Sequence, residues 1–166
     1  DPRAALRWTL SKLRKSIGDD YILTERDAVA FNFRSDAWID VAAFEAGETD
    51  LYQGDLLSGL YLRDALRFEE WLAFERQRLR DVYQAALEKQ LAAYKTQDDA
   101  AAVVITAQQL LKLDSLREDW HYDLIRAYAR LGKRTAALEQ YELCRQILRR
   151  EWDTEPDAEI SRLAAE

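Results

Sequence analysis

The stretch WHYDLIRAYARLGKRTAALEQYELC, residues 120–144, decides the fold class because it predicts two helices joined by a tight turn. Apolar and aromatic residues recur at helical spacing on both sides of Gly132, which can turn the chain with little strain. Ala137 is small enough to let two antiparallel helices approach, and we expect Tyr128 and Tyr141 to be buried between them. The stretch therefore predicts a helical hairpin.

The same stretch resembles the tetratricopeptide repeat (TPR), a helix–turn–helix unit of about 34 residues. The positions that match the Leu, Tyr, Gly, Ala and aromatic residues of that repeat, and the small residue after them, are Leu124, Tyr128, Gly132, Ala137, Tyr141 and Cys144. Counting back one repeat length gives a second, more degenerate copy, which contains Tyr94, Asp98, Val103 and Ala107. The resemblance implies two stacked helix pairs.

Helical periodicity continues over most of the chain beyond residue 65. Asp98 and Asp99 are typical caps for the second helix of this region, and Pro156 is predicted in the first turn of the last. Trp71 and Trp120 are expected in the core rather than in a ligand cage. The predicted helices cover roughly residues 66–95, 100–113, 117–131 and 135–152, followed by a short C-terminal one.

A basic helix is predicted at the start of a chain that is acidic overall, with formal net charge −7. Five basic residues and no acidic one lie between Arg3 and Lys15. Gly18 is placed to cap this helix. Its single apolar stripe, at helical spacing, consists of Leu6, Leu10, Leu13 and Ile17.

The segment after the basic helix, YILTERDAVAFNF, predicts a hairpin of two short strands. These strands are expected at Tyr21–Glu25 and Ala28–Phe33, with the turn at Arg26-Asp27. A connector follows, which contains a short helix with Asp40 as its N-cap. The glycines of YQGDLLSGLYLRD predict a loop before the long helix.

Composition bounds the class of protein. The chain has 166 residues, 48% of them hydrophobic, with one cysteine and no methionine. This suits one domain or one domain and a piece, and a single cysteine favours an intracellular, cytoplasmic protein. No apolar run reaches the length of a membrane span, so no membrane contact is expected. Because the chain starts at Asp1 without an initiator methionine, we expect the natural product to extend upstream.

The order of motifs along the chain resembles the bacterial transcriptional activator domain (BTAD) of the Streptomyces antibiotic regulatory protein (SARP) family. The motifs are YQGDLLSGL, WLAFER, LKLDSLREDWH, AYARLGKRTAALEQYELC and EPD. The likeness covers roughly residues 39–163. In that family the domain follows a winged helix of the response-regulator type. The resemblance therefore implies a winged-helix part at 1–38 and a TPR-like activator domain at 39–166.

The resemblance also implies a role for the basic helix. LSKLRKSI looks like the end of the recognition helix of a winged helix, and YILTERDAVAF looks like its wing. The side chains then expected to contact DNA are Arg7, Trp8, Ser11, Lys12 and Lys15. The alternative interpretation of their charges is a solvated amphipathic helix. The two helices that would precede the recognition helix are missing, so we expect DNA binding through the complete winged helix and weak binding by this fragment.

A partner surface is implied by the TPR resemblance, in which the first helix of each pair lines a concave face. The residues predicted there are Glu88, Lys95, Tyr122, Arg126 and Arg130. Their mixed charges, with an aromatic ring, suit a protein or peptide, and the transcription machinery is one candidate. The alternative is that helix packing fills this groove. A homodimer is also left open.

The function expected from these observations is that of a bacterial transcriptional regulator. The alternative is a TPR-like interaction module of a large signalling protein, without DNA binding of its own. No phosphate-binding glycine loop, nucleophile–base arrangement or ligand cluster is visible, so we expect no enzyme, no catalytic residue, no metal and no cofactor. His121, the one histidine, and Cys144 are expected to be structural.

Overall fold

The computed structural model describes residues 1–26 and 28–165. The chain divides into two compact units, Asp1–Ala46 and Gly47–Glu166. The strands of the described residues form one hairpin in the first unit, and helices dominate the rest. The predicted all-α, TPR-like fold with an N-terminal helix and hairpin is confirmed. The domain boundary expected between residues 38 and 39 stays a prediction.

The elements follow the predicted order. The first unit contains a long helix, a 3₁₀ turn at Asp19–Tyr21, two strands and a short helix. The second contains a 3₁₀ turn at Thr49–Leu51 and five helices. Their bounds are α1 Pro2–Ile17, β1 Ile22–Thr24, β2 Val29–Phe31, α2 Asp40–Glu45, α3 Leu66–Thr96, α4 Ala100–Leu113, α5 Glu118–Arg130, α6 Arg134–Trp152 and α7 Ala158–Ala165.

Local signals end the repeat helices where the sequence predicts. Gly132 has φ of +70°, which glycine adopts without strain, and it separates α5 from α6. Asp99 caps α4, because its Oδ1 accepts a hydrogen bond of 3.0 Å from the backbone N–H of Ala102. The α5–α6 and α3–α4 turns are therefore set by the residues within them.

Two helix starts differ from the prediction by one or two residues. Pro156 lies ahead of α7 rather than in its first turn, because Asp157 caps this helix through a 2.8 Å bond from the N–H of Glu159. The N–H of Asp157 donates in turn to Oε2 of Glu118 at 2.7 Å, which ties the start of α7 to α5. Asp40 is the first residue of α2 rather than its cap.

The first core lies where α3, α4 and α5 meet. Trp120 is 2% exposed, so its predicted core position is confirmed. Trp71 is 49% exposed, and its predicted core position is wrong. Its ring lies 5.6 Å from that of Phe68, and the same part of α3 buries Leu72 instead. The buried members of the first core are Leu87, Leu91, Val103, Ala107, Leu110, Trp120, Leu124 and Ala127.

The second core joins α5, α6 and α7. Its buried members are Ile125, Ala137, Cys144, Leu148 and Ile160. The predicted burial of Ala137 is confirmed. The predicted burial of Tyr128 and Tyr141 is only partly right, because both rings pack against this core but stay half-exposed. The ring of Tyr128 keeps its hydroxyl at the surface, where the hydroxyl accepts a hydrogen bond of 2.9 Å from the side-chain amide of Gln108.

The hairpin of the first unit pairs β1 and β2 antiparallel, with Ile22 opposite Phe31. The predicted hairpin is confirmed, although Asp27 of its predicted turn lies outside the described residues. Arg14 ties α1 to β1, because its guanidinium donates to Oγ1 of Thr24 at 3.0 Å and to the carbonyl of Ile22 at 3.4 Å. Arg14 therefore holds the helix against the hairpin.

Candidate functional site

A small charged cleft lies between the C-terminal end of α3, the start of α4 and one face of α5. Its volume is about 60 Å³, which is room for a few water molecules or one small polar group. The α5 residues that line it recur at helical spacing, so they share one face of the helix. The lining consists of Tyr94, Lys95, Asp98, Ala100, Val103, Asp123, Arg126, Ala127 and Arg130.

Two ion pairs span this cleft. Nζ of Lys95 lies 2.6 Å from Oδ1 of Asp123, whose side chain is only 8% exposed. The guanidinium of Arg130 pairs with Oδ1 of Asp98 at the other end of the same cleft. Each pair joins α5 to the end of α3 or to the turn after it. Both therefore hold the first helices of the two repeats in place.

Arg126 differs from the other two cations of the cleft. Within residues 1–26 and 28–165, its guanidinium has neither a hydrogen bond nor an ion pair. It is exposed, and it lies between the two pairs, one turn before Arg130 on α5. A cation without a counter-ion is available to an external anion.

Three of the five predicted partner residues meet at this cleft, and two lie elsewhere. Lys95, Arg126 and Arg130 line it. Glu88 lies further back on α3 and pairs with Arg117 at 3.7 Å. Tyr122 precedes Asp123 on α5 but faces away from the cleft. It is half-buried against the second core, which α5 forms with α6 and α7. Whether any of the five binds a partner stays a prediction.

Sequence reasoning did not assign Asp123 to this surface. Its position was a usable signal, since it precedes Arg126 by three residues and Ala127 by four, and so shares their face of α5. Asp98 was predicted as a turn or cap residue, but its contact with Arg130 was not predicted. Its φ of +59° places it in the tight turn between α3 and α4, with its carboxylate towards Arg130. Aspartate residues therefore line both ends of the cleft.

The basic face of α1 is the second candidate surface, and it lies wholly in the first unit. Lys12 and Trp8 contact each other, with the ammonium 5.5 Å from the ring centroid. In the described part of the chain, Arg7, Lys12 and Lys15 form no ion pair. All five predicted DNA-contacting side chains, Arg7, Trp8, Ser11, Lys12 and Lys15, are exposed.

The opposite side of α1 carries apolar residues that are open to solvent. Leu6 is 52%, Leu13 43% and Ile17 41% exposed, and none of the 16 residues of this helix is buried. An apolar stripe of this kind normally packs against other helices. The basic face and the apolar stripe therefore lie on opposite sides of α1.

His121 is buried and fully hydrogen-bonded, as a structural histidine would be. Its Nε2 donates to the carbonyl of Ser115 at 3.0 Å, since a carbonyl can only accept. Its Nδ1 then accepts from the side-chain amide of Gln140 at 2.7 Å. Burial lowers the pKa of His121 below its ordinary value, which favours this neutral form.

Among the described residues, no three histidine, cysteine, aspartate or glutamate side chains lie close enough together to hold a metal ion. Burial also raises the pKa of Cys144 to about 12, so its thiol is a poor nucleophile and a poor ligand. None of the helices within residues 1–26 and 28–165 is long and apolar enough to cross a membrane.

Comparison with known families agrees with this architecture. The family model described as the bacterial transcriptional activator domain matches residues 35–166, which include both cores and the charged cleft. The match does not include α1 or the hairpin. No curated protein matches the chain. Because the family model covers most of the chain, this protein belongs to the family of the bacterial transcriptional activator domain.

Proposed function

We propose that this chain is part of a bacterial transcriptional regulator that acts in the cytoplasm. In this proposal α1 and the hairpin come from a winged helix that binds DNA, and the helical unit contacts a protein partner. The observation that carries the DNA-binding part is the basic face of α1, whose exposed cations Arg7, Lys12 and Lys15 have no carboxylate partner in the described part of the chain.

The arrangement of α1 suits a helix lying in the major groove. Arg7, Ser11 and Lys15 follow one another at intervals of four residues, so they form one row along the helix. Trp8 and Lys12 lie beside that row, both on the same side of it. A row of this kind supplies side chains to base edges and cations to the phosphates beside them. The hairpin held by Arg14 corresponds to the wing, and the apolar stripe would pack against the two helices that precede a recognition helix.

The charged cleft supports a role in protein contact for the helical unit. Its lining combines cations, aspartates and half-buried apolar groups, which is typical of the polar parts of protein interfaces. We propose that Lys95, Arg126 and Arg130 contribute to this contact. Glu88 and Tyr122 complete the predicted surface only if the partner extends beyond the cleft.

The salt dependence of DNA binding tests the proposed role of α1. In the full-length gene product, the double substitution Lys12→Ala/Lys15→Ala should make the negative slope of log K against log salt shallower by about two. The reason is that each lost phosphate contact reduces the magnitude of the slope by about 0.9. The measurement is fluorescence anisotropy with duplex DNA at several salt concentrations. The matched control is Lys89→Ala/Lys112→Ala, which removes the same charge from α3 and α4. An equal slope for both double variants would contradict the proposal.

The second candidate function is that of an interaction module without DNA binding. The net charge of −7 favours it, because an acidic chain repels phosphate outside its local basic face. A full-length protein that shows no affinity for DNA at low salt, yet captures a partner through the helical unit, would support this alternative.

A further inference from the structure

We propose that Arg126 binds the carboxylate of an aspartate or glutamate side chain in the protein partner. This inference rests on the proposed function, because it names the chemistry of the partner at the charged cleft. The observation behind it is an imbalance within the cleft, where three cations face two carboxylates. The third cation, Arg126, is left without a counter-ion among the described residues.

The two ion pairs determine which cation is available. Lys95 is committed to Asp123, and Arg130 is committed to Asp98. Each of these aspartates already satisfies its neighbour, so an incoming anion gains most at Arg126. The planar guanidinium offers two parallel N–H donors, which match the two oxygens of a carboxylate. The cleft therefore has one built position for one carboxylate.

The same aspartates disfavour an anion of higher charge. A phosphate group carries nearly two charges at neutral pH, and it would lie close to Asp98 and Asp123 with only one free cation to compensate. A carboxylate carries a single charge, which Arg126 alone can neutralise. The expected ligand is therefore an acidic side chain rather than a phosphorylated one.

The walls of the cleft favour a peptide over a free carboxylic acid. Val103 and Ala127 are buried at its base, and the half-buried ring of Tyr94 forms one side. Because the cleft itself has room for only one small polar group, the small apolar residues beside the aspartate would pack against the ring of Tyr94, and burial of their methyl groups would add to the affinity. A free acid such as acetate would gain only the contact with the guanidinium.

Titration of this chain with synthetic peptides tests the inference without DNA. The probes are acetyl-Ala-Ala-Asp-Ala-Ala-amide, the same peptide with Asn in place of Asp, and acetate. We expect saturating NMR shifts of the Arg126 side-chain Nε–H and of the amides of Val103 and Ala127 with the Asp peptide, with a dissociation constant on the order of 1 mM. The Asn peptide and acetate should bind at least about ten-fold more weakly.

Variants assign the effect to one guanidinium. Arg126→Ala should weaken binding of the Asp peptide about ten-fold or more, and Arg126→Lys should restore part of it. The matched control Arg150→Ala, which removes an exposed arginine of α6, should bind as tightly as the original chain. Equal binding of the Asp and Asn peptides, equal binding of acetate, or no loss in Arg126→Ala would overturn the inference. None of these results would alter the salt dependence of DNA binding, which tests the proposed function separately.

Discussion

Nζ of Lys95 lies 2.6 Å from Oδ1 and 2.7 Å from Oδ2 of Asp123, so one ammonium group contacts both oxygens of a buried carboxylate. The two residues are 28 positions apart and belong to the first helices of successive repeats. The lysine is 46% exposed while the aspartate side chain is 8% exposed, so loss of the cation would leave a charge in the interior. This contact fixes α5 against the end of α3.

Lys95→Met should therefore lower the free energy of unfolding by about 1–3 kcal/mol, because it keeps most of the stem and leaves Asp123 unpaired. Urea denaturation followed by circular dichroism measures the change. Lys89→Met, on the exposed side of α3, should change stability by less than about 0.5 kcal/mol. The double variant Lys95→Met/Asp123→Asn should recover part of the loss. Equal stability of the two lysine variants would show that the pair contributes nothing.

Ala137→Leu should destabilise the chain by about 1–3 kcal/mol, because added methyl groups have no room at the contact between α5 and α6. Ala137 is 8% exposed and belongs to the second core. The matched substitution Ala85→Leu adds the same groups on the exposed side of α3 and should be nearly neutral. Thermal unfolding of both variants gives the comparison, and a neutral Ala137→Leu would mean that the second core is loosely packed.

Stability should fall on acidification through the titration of His121. Burial places the pKa of His121 in the folded state below the ordinary value of 6.5 that it has when unfolded. Below pH 6.5 the unfolded chain therefore binds more protons, and the stabilisation by neutral His121 is lost as the pH falls towards the folded-state pKa. The slope in that window approaches about 1.4 kcal/mol per pH unit.

His121→Gln should flatten this dependence, since it keeps a donor for the carbonyl of Ser115 and removes the titrating ring. Urea midpoints at several pH values above the range of the carboxylates measure the difference between the two proteins. The same slope in both would assign the acid sensitivity to other groups.

Local signals in the sequence were sufficient for the helical fold. Gly132 and Asp99 determine turns through their own backbone and side chains, and the spacing of Ala137 and Cys144 predicts which face of α6 is buried. Such features depend on residues a few positions apart. These local features can therefore be predicted from the sequence without knowing how distant parts of the chain pack.

The cleft could be predicted only in part, because its geometry depends on how the repeats pack. Lys95, Arg126 and Arg130 were predicted on one partner surface and do line one cleft, although their role there stays a prediction. The pairing of Lys95 with Asp123 and of Arg130 with Asp98 joins residues 28 and 32 positions apart, and was not predicted. Tyr122 shows the remaining difficulty. A helical residue turns by about 100° from its neighbour, so one position separates the face of the cleft from the second core.

The thiol of Cys144 reports opening of the second core. It is 0% exposed, and burial raises its pKa to about 12, so it should not react with Ellman's reagent in the folded chain. In denaturant the single cysteine should react fully. Labelling that is fast under native conditions would show that α6 and α7 separate from α5 often, and Ile160→Ala should accelerate labelling by removing a buried contact of α7.

The last prediction is that this chain binds DNA weakly, whereas the full-length gene product binds a specific promoter. The exposed stripe of Leu6, Leu13 and Ile17 leaves the apolar face of α1 open to solvent, and a helix of this length that buries so little is marginal in water. A few cations on such a helix give salt-sensitive, non-specific attraction.

In the full-length protein, Arg7→Ala should cost about 1–3 kcal/mol of specific binding if Arg7 contacts a base, and the loss should fall on the cognate sequence. Anisotropy titrations of both proteins at matched salt measure these affinities. Equally tight binding by the short chain would show that α1 needs no further helices, and an absence of specific binding by the longer protein would favour the interaction module.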